Sequence, residues 1–192
     1  MLYPYVSQFN WIDILIIICS LRMCYVGLKR GLGIEFFKLL SLFFCSFIVL
    51  HYYFALGDFI HNKIPALPIE PAIIFSYVVL ISIITLLFRV LREGFFVFVK
   101  TETLSNFGKY SGLLIGFVRG IIVSAFIIFG LLISTIHYFE LSARTSFFGS
   151  KIVILPVKIY EGIYQGITSR IFHSQIFNQE VIKVLEKEKV PE

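Results

Sequence analysis

Gly108-Lys109-Tyr110-Ser111-Gly112-Leu113-Leu114-Ile115-Gly116-Phe117-Val118-Arg119-Gly120 opens a run that stays apolar through IIVSAFIIFGLL to Leu132. Gly108, Gly112, Gly116 and Gly120 recur every four residues, and Ser124 continues the spacing. Residues four apart lie on nearly one helix face, so the run predicts a helix with a flat stripe of small residues. Lipid tails give little hydrophobic drive for helices to associate, and close backbone approach through small residues supplies the contact instead. Arg119, at the margin of the stripe, is costly in lipid and is expected to face protein or trapped water. The stripe has two candidate partners, another span of the same chain or a second copy, and the spacing supports both equally.

The rest of the chain is of the same kind. Hydrophobic residues make up 58% of its 192 residues and charged ones 15%, against about 25% charged in soluble domains. Several apolar runs approach or exceed the ~18 residues that mark a membrane span. The fold class expected is therefore all-α: a polytopic membrane protein with about four transmembrane helices and a C-terminal amphipathic helix. A net charge of +5 is not a nucleic-acid signal, because Lys and Arg stand between apolar runs and form no dense block. Cys19, Cys24 and Cys45 fall inside apolar segments and read as small hydrophobes. The first apolar run lacks a positive leader and a small-residue cleavage site, so it is expected to be retained as a helix.

The spans are read as about 11–28, 35–54, 71–99 and 108–139, forming a membrane domain over 1–140, with the amphipathic helix and a charged tail over 141–192. Asn10 and Asp13 have capping-box-like spacing at the first start. Asp13 is read there as a first-turn cap in preference to a proton-relay group. A tight turn is expected at Gly27–Gly33, and a loop from Ala55 to Glu70 that carries Pro65 and Pro68. Leu155, Ile159, Ile163, Ile167 and Ile171 recur every four residues and form the apolar stripe of the last helix. Lys29, Arg30, Lys38, Arg89, Arg92, Lys100 and Lys109 gather around the first and third loops. The positive-inside rule then places those loops in the cytoplasm and both termini outside.

Whatever the orientation, span one ends and spans two and four begin on one side, so Arg22, Glu35 and Arg119 share a leaflet. Glu35 suits the positive end of the second helix dipole and Arg22 the negative end of the first. A Glu35–Arg119 or Glu35–Arg22 pair is expected. Such a pair either forms a polar site or ion path, or neutralises charge while holding three helices in register; the second use is the commoner one. His51, His61, His137 and His173 show no metal spacing, and no Walker, Rossmann or nucleophile-elbow pattern occurs. No enzyme, cofactor, metal or nucleic-acid partner is expected; the bilayer is.

Trp11-Ile12-Asp13 leading a hydrophobic helix, then Gly27-x-x-Arg30-Gly31-x-x-x-Glu35, then Gly112-x-x-x-Gly116-x-x-Arg119-Gly120 resembles the colicin V production protein (CvpA) family of bacterial inner-membrane proteins. The likeness covers about 10–139. Where the family often carries an Asp/Asn-Arg pair before its glycine helix, Gly108-Lys109 stand here. The resemblance implies a small, non-enzymatic, roughly four-span protein that assists toxin or bacteriocin production or export and envelope homeostasis, with secretion or envelope partners. A small oligomeric channel or transporter is the alternative, its vestibule lined by Arg22, Glu35 and Arg119.

Overall fold

The structure is a computed structural model that describes residues 9–98, 106–134, 136–168 and 177–186. Within these residues the fold is all-α. Helix α1 runs from Trp11 to Lys63. Straight, it would be ~80 Å long, more than twice the ~30 Å of a hydrocarbon core. It is not straight. Gly31 has φ 75° and ψ 176°, a conformation essentially reserved for glycine, and the chain reverses there. Two arms result, 11–30 and 32–63, and α2 (Ile69–Phe98) and α3 (Asn106–Leu132) complete the bundle. Among the described residues three helices are long and apolar enough to cross a membrane, and the bend at Gly31 divides the first of them into its two arms.

Contacts between helices give each pass its direction. The second arm and α2 run antiparallel: Gly57 meets Ile73, the Tyr53 and Tyr77 rings lie 6.2 Å apart, Phe44 and Phe88 5.1 Å, and Phe37 and Phe95 4.9 Å. The first arm and α3 are also antiparallel, with Gly27 on Gly112, Met23 on Gly116 and Ser20 on Gly120. The second arm follows α3 in the same direction, from Glu35 beside Arg119 to Tyr53 beside Phe129. One end of the bundle thus collects Gly31, the C-terminal end of α2 and the start of α3. The centre of the packing is aromatic. Tyr53, Tyr77 and Phe129 are buried, and the Tyr77 hydroxyl donates to the Phe126 carbonyl at 2.8 Å.

Several expected boundaries move. The turn at Gly27–Gly33 shrinks to Gly31 alone. The second arm continues through Ala55 to Lys63, because no proline interrupts it before Pro65 and because Gly57 lets α2 approach closely. The third span keeps its expected length, since α2 stays helical to Phe98. The fourth span stops at Leu132, not at Phe139. There the Ser134 N–H donates to the Leu131 carbonyl, and the Ser134 hydroxyl accepts the Ile136 N–H at 3.3 Å. Such local side-chain bonding competes with continuation of the helix. A separate helix, α4 (His137–Thr145), follows, then the short α5 (Gly149–Ile152) and α6 (Ile154–Ile163). A π-helical turn at Tyr164–Thr168 comes next, and α7 spans Gln179–Glu186.

The amphipathic face of α6 is also rotated from the expected one. Val153, Pro156, Val157 and Tyr160 are buried, while Leu155, Ile159 and Ile163 are half-buried. Burial pushes the Tyr160 phenol above its usual pKa, so it stays neutral. Its oxygen lies 2.9 Å from Nδ1 of His51 and accepts the Asn178 N–H at 3.0 Å. Asn178 Nδ2 in turn donates to the Leu50 carbonyl at 2.8 Å, fastening the segment before α7 to the second arm. Val99, the connector at 99–105, Ile171, His173 and the charged tail from 187 lie outside the described residues.

Candidate functional site

Glu35 sits four residues beyond Gly31, in the first turn of the second arm, where unpaired helix N–H groups favour an anion. Its side chain is fully buried. Arg119, one position before the last glycine of the stripe, is 6% exposed. Its Nη1 lies 2.5 Å from Glu35 Oε2. Lys38, one turn further along the arm, places its Nζ 2.5 Å from Glu35 Oε1. Arg119 Nη2 also donates to the Met23 sulfur of the first arm at 2.8 Å. One guanidinium therefore ties α3 to both arms of α1. Its Nε has no hydrogen-bond partner among the described residues.

Of the two expected pairings, the structure forms Glu35–Arg119. Arg22 stands apart from the carboxylate: it is exposed, and it lines a groove of about 620 Å³ together with Arg30, Lys38 and Arg119. Much of the remaining lining is apolar, with Ile14, Leu15 and Ile18 on the same arm as Arg22 and Ile127 on α3. A second groove of about 300 Å³ lies on the other side of Arg119, between Phe37, Ser41, Phe88 and Arg92. Arg119, Lys38 and Met23 border both.

The glycine stripe finds its partner inside the chain. A Cβ on Gly112 would stand 2.5 Å from the Gly27 carbonyl oxygen, one on Gly116 2.5 Å from that of Met23, and one on Gly120 2.8 Å from the Ser20 Cα. Gly27 is equally closed by the Gly112 backbone. Ser124 is buried and returns its hydroxyl to the Gly120 carbonyl at 2.9 Å. Gly108, at the start of α3, is half-buried. This contact brings the backbones close enough for Arg119 to reach across to the first arm.

Asp13 organises the opposite end. The capping box forms, with Ile12 N–H donating to the Asn10 side chain at 2.8 Å and Asn10 N–H to Asp13 Oδ2 at 2.9 Å. The carboxylate does more than cap. Fully buried, it accepts the Ser146 hydroxyl and the Phe148 N–H, both at 2.8 Å, and the Phe147 N–H at 3.3 Å. Asn10 Nδ2 donates to the Ser142 carbonyl at 2.7 Å, and Trp11 stacks on Tyr138. The start of α1 is thereby clamped onto the α4–α5 corner. Ser146, Asn178, Tyr160 and Met23 carried no local signal in the sequence; Lys38 did, through its three-residue spacing from Glu35. Among the described residues no group of three or more His, Cys, Asp or Glu is placed to hold a metal ion.

A family model described as colicin V production protein matches residues 12–154. No curated protein and no solved structure matches the chain.

Proposed function

Because the chain belongs to the colicin V production protein family, we propose that it is a non-enzymatic protein of the bacterial inner membrane that assists toxin production or export and envelope homeostasis. The observation that supports this reading is the Glu35–Arg119–Lys38 junction. Glu35 offsets one of the two cations beside it, and Arg119 links α3 to both arms of α1, which suits a part that holds helices. In the proposed orientation the Gly31 end, with Lys29, Arg30, Lys38, Arg89, Arg92 and Lys109, faces the cytoplasm. Secretion or envelope partners belong to the proposal, as does a second copy. With Gly112, Gly116 and Gly120 engaged within the chain, a second copy would meet the outward face of α3, where Tyr110, Leu114 and Phe117 are exposed. The test is purification from native membranes with the mass measured in detergent, alongside toxin release and envelope resistance in a strain lacking the protein. A partner or second copy that survives purification, with a defect restored by the gene, is expected. A lone monomer whose loss changes neither trait would overturn the proposal.

A small channel or transporter is the second reading, favoured by the position of Arg119 between two grooves. Ion flux through purified protein in liposomes, altered by Arg119→Ala, would support it; no flux from a well-folded preparation would remove it.

A further inference from the structure

We propose that the groove beside Arg119 binds an anionic phospholipid, its phosphate among Arg22, Arg30, Lys38 and Arg119 and one acyl chain along the first arm of α1. Four cations border the groove and no carboxylate lines it. Glu35 meets Lys38 and Arg119 and neutralises one charge, which leaves an excess of three. Arg22 and Arg30 are exposed and form no ion pair among the described residues. Arg119, only 6% exposed, keeps an Nε without a hydrogen-bond partner, and the neighbouring Glu35 Oε2, though in ion-pair contact with Nη1, has no hydrogen-bond partner either. An excess of positive charge with two exposed, unpaired guanidinium groups at its mouth matches an anion that accepts charge-assisted hydrogen bonds.

The rest of the groove specifies what carries the anion. Ile14, Leu15, Ile18 and Ile127 form an apolar wall that a free anion would leave bare. From Val26 to Ile14 the first arm rises ~18 Å, slightly more than half of the ~30 Å hydrocarbon thickness. That is the path of an acyl chain from the bundle end where Gly31 lies toward the membrane midplane. A zwitterionic lipid would fit the wall but would bring its own cation to a cationic cluster. A phosphodiester without a compensating ammonium matches both parts, and basic pockets between membrane helices hold such headgroups.

The test uses full-length protein in phosphatidylcholine vesicles carrying a trace of spin-labelled phosphatidylglycerol or spin-labelled phosphatidylcholine. The motionally restricted fraction of each label reports its residence on the protein. Phosphatidylglycerol is expected to be preferred. Arg22→Gln with Arg30→Gln, which leaves the contacts of Glu35 in place, is expected to cut that preference by about five-fold per cation. Arg30→Gln alone gives the same readout at a smaller amplitude if the double variant does not fold. Millimolar inorganic phosphate is expected to leave the preference intact. Equal residence of the two lipids on the wild type, an unchanged preference in both variants, or displacement by phosphate would each overturn the proposal.

Discussion

Arg119 Nη1 lies 2.5 Å from Oε2 of the fully buried Glu35, so the glycine helix and the second arm of α1 are joined by opposite charges at a point where both are closed to solvent. Removing one member of such a pair strands the other. Glu35→Gln leaves the buried Arg119 and the half-buried Lys38 without their anion, a loss expected at about 3–5 kcal/mol. Arg119→Gln strands Glu35 less completely, because Lys38 remains beside it. The double variant is expected to recover part of the loss, since the pair couples. Unfolding in detergent, followed by circular dichroism for all four proteins, checks the cycle; additive losses would make the contact energetically idle.

In Gly116→Ala the new methyl would stand 2.5 Å from the Met23 carbonyl oxygen and push α3 away from the first arm. Forcing an extra carbon into so close a contact is expected to cost about 1–3 kcal/mol. Gly94 lies in the interior of α2, with nothing within 4 Å of an added carbon. Gly94→Ala is therefore expected to be neutral or to stabilise by about 0.5–1 kcal/mol through helix propensity. Parallel thermal unfolding of the two variants is the measurement. Equal stabilities would remove the first arm from its place against the stripe.

Gly31→Ala forces a side chain into φ 75°, ψ 176°. Holding a residue other than glycine there costs about 1–3 kcal/mol. The same change favours continuing the helix. Spin labels at Ile18 and Phe43, one on each arm, would stand ~38 Å apart on a straight helix and much closer on folded-back arms. A single short distance is expected for the native glycine, with a second, longer population in the alanine variant.

Asp13→Asn keeps one acceptor oxygen where four donors converge. Hydrogen bonds to a charged group are worth about 1.5–3 kcal/mol each, and an amide nitrogen facing N–H groups adds repulsion. The α4–α5 corner is expected to loosen while the bundle stays assembled. Hydrogen exchange at the Phe147 and Phe148 amides should rise well before exchange in α3 does. Uniform acceleration across both would mean that Asp13 supports the whole bundle.

Local chemistry made the helices and the small-residue stripe readable, since both depend on residues a few positions apart. What lies opposite the stripe did not follow, because four-residue spacing says only that something approaches closely. Leaflet-level placement narrowed the charges to Glu35, Arg119 and Arg22. It could not rank the two pairings, which depend on how the helices are rotated, and rotation turned Arg22 outward into the groove. Asp13 was legible as a cap because Asn10 is three residues away. Its bond to Ser146 spans 133 residues, a separation for which no periodicity carries information. The helical stretch from Ala55 to Lys63 was missed because Gly57 and Asp58 read as loop residues when their neighbour Ile73 is unseen.

Reversal at Gly31 is what brings the cations, the glycine stripe and Glu35 to one end of the bundle, and sidedness tests it most directly. Single cysteines at Lys29, Phe107, Ile64 and Tyr138, in a background with Cys19, Cys24 and Cys45 replaced by Ala, can be labelled in intact cells and in inverted vesicles with a membrane-impermeant maleimide. Lys29→Cys and Phe107→Cys are expected to react only in inverted vesicles, and Ile64→Cys and Tyr138→Cys only in intact cells. Reaction of Lys29→Cys and Ile64→Cys from the same side would contradict the reversal and the junction built on it.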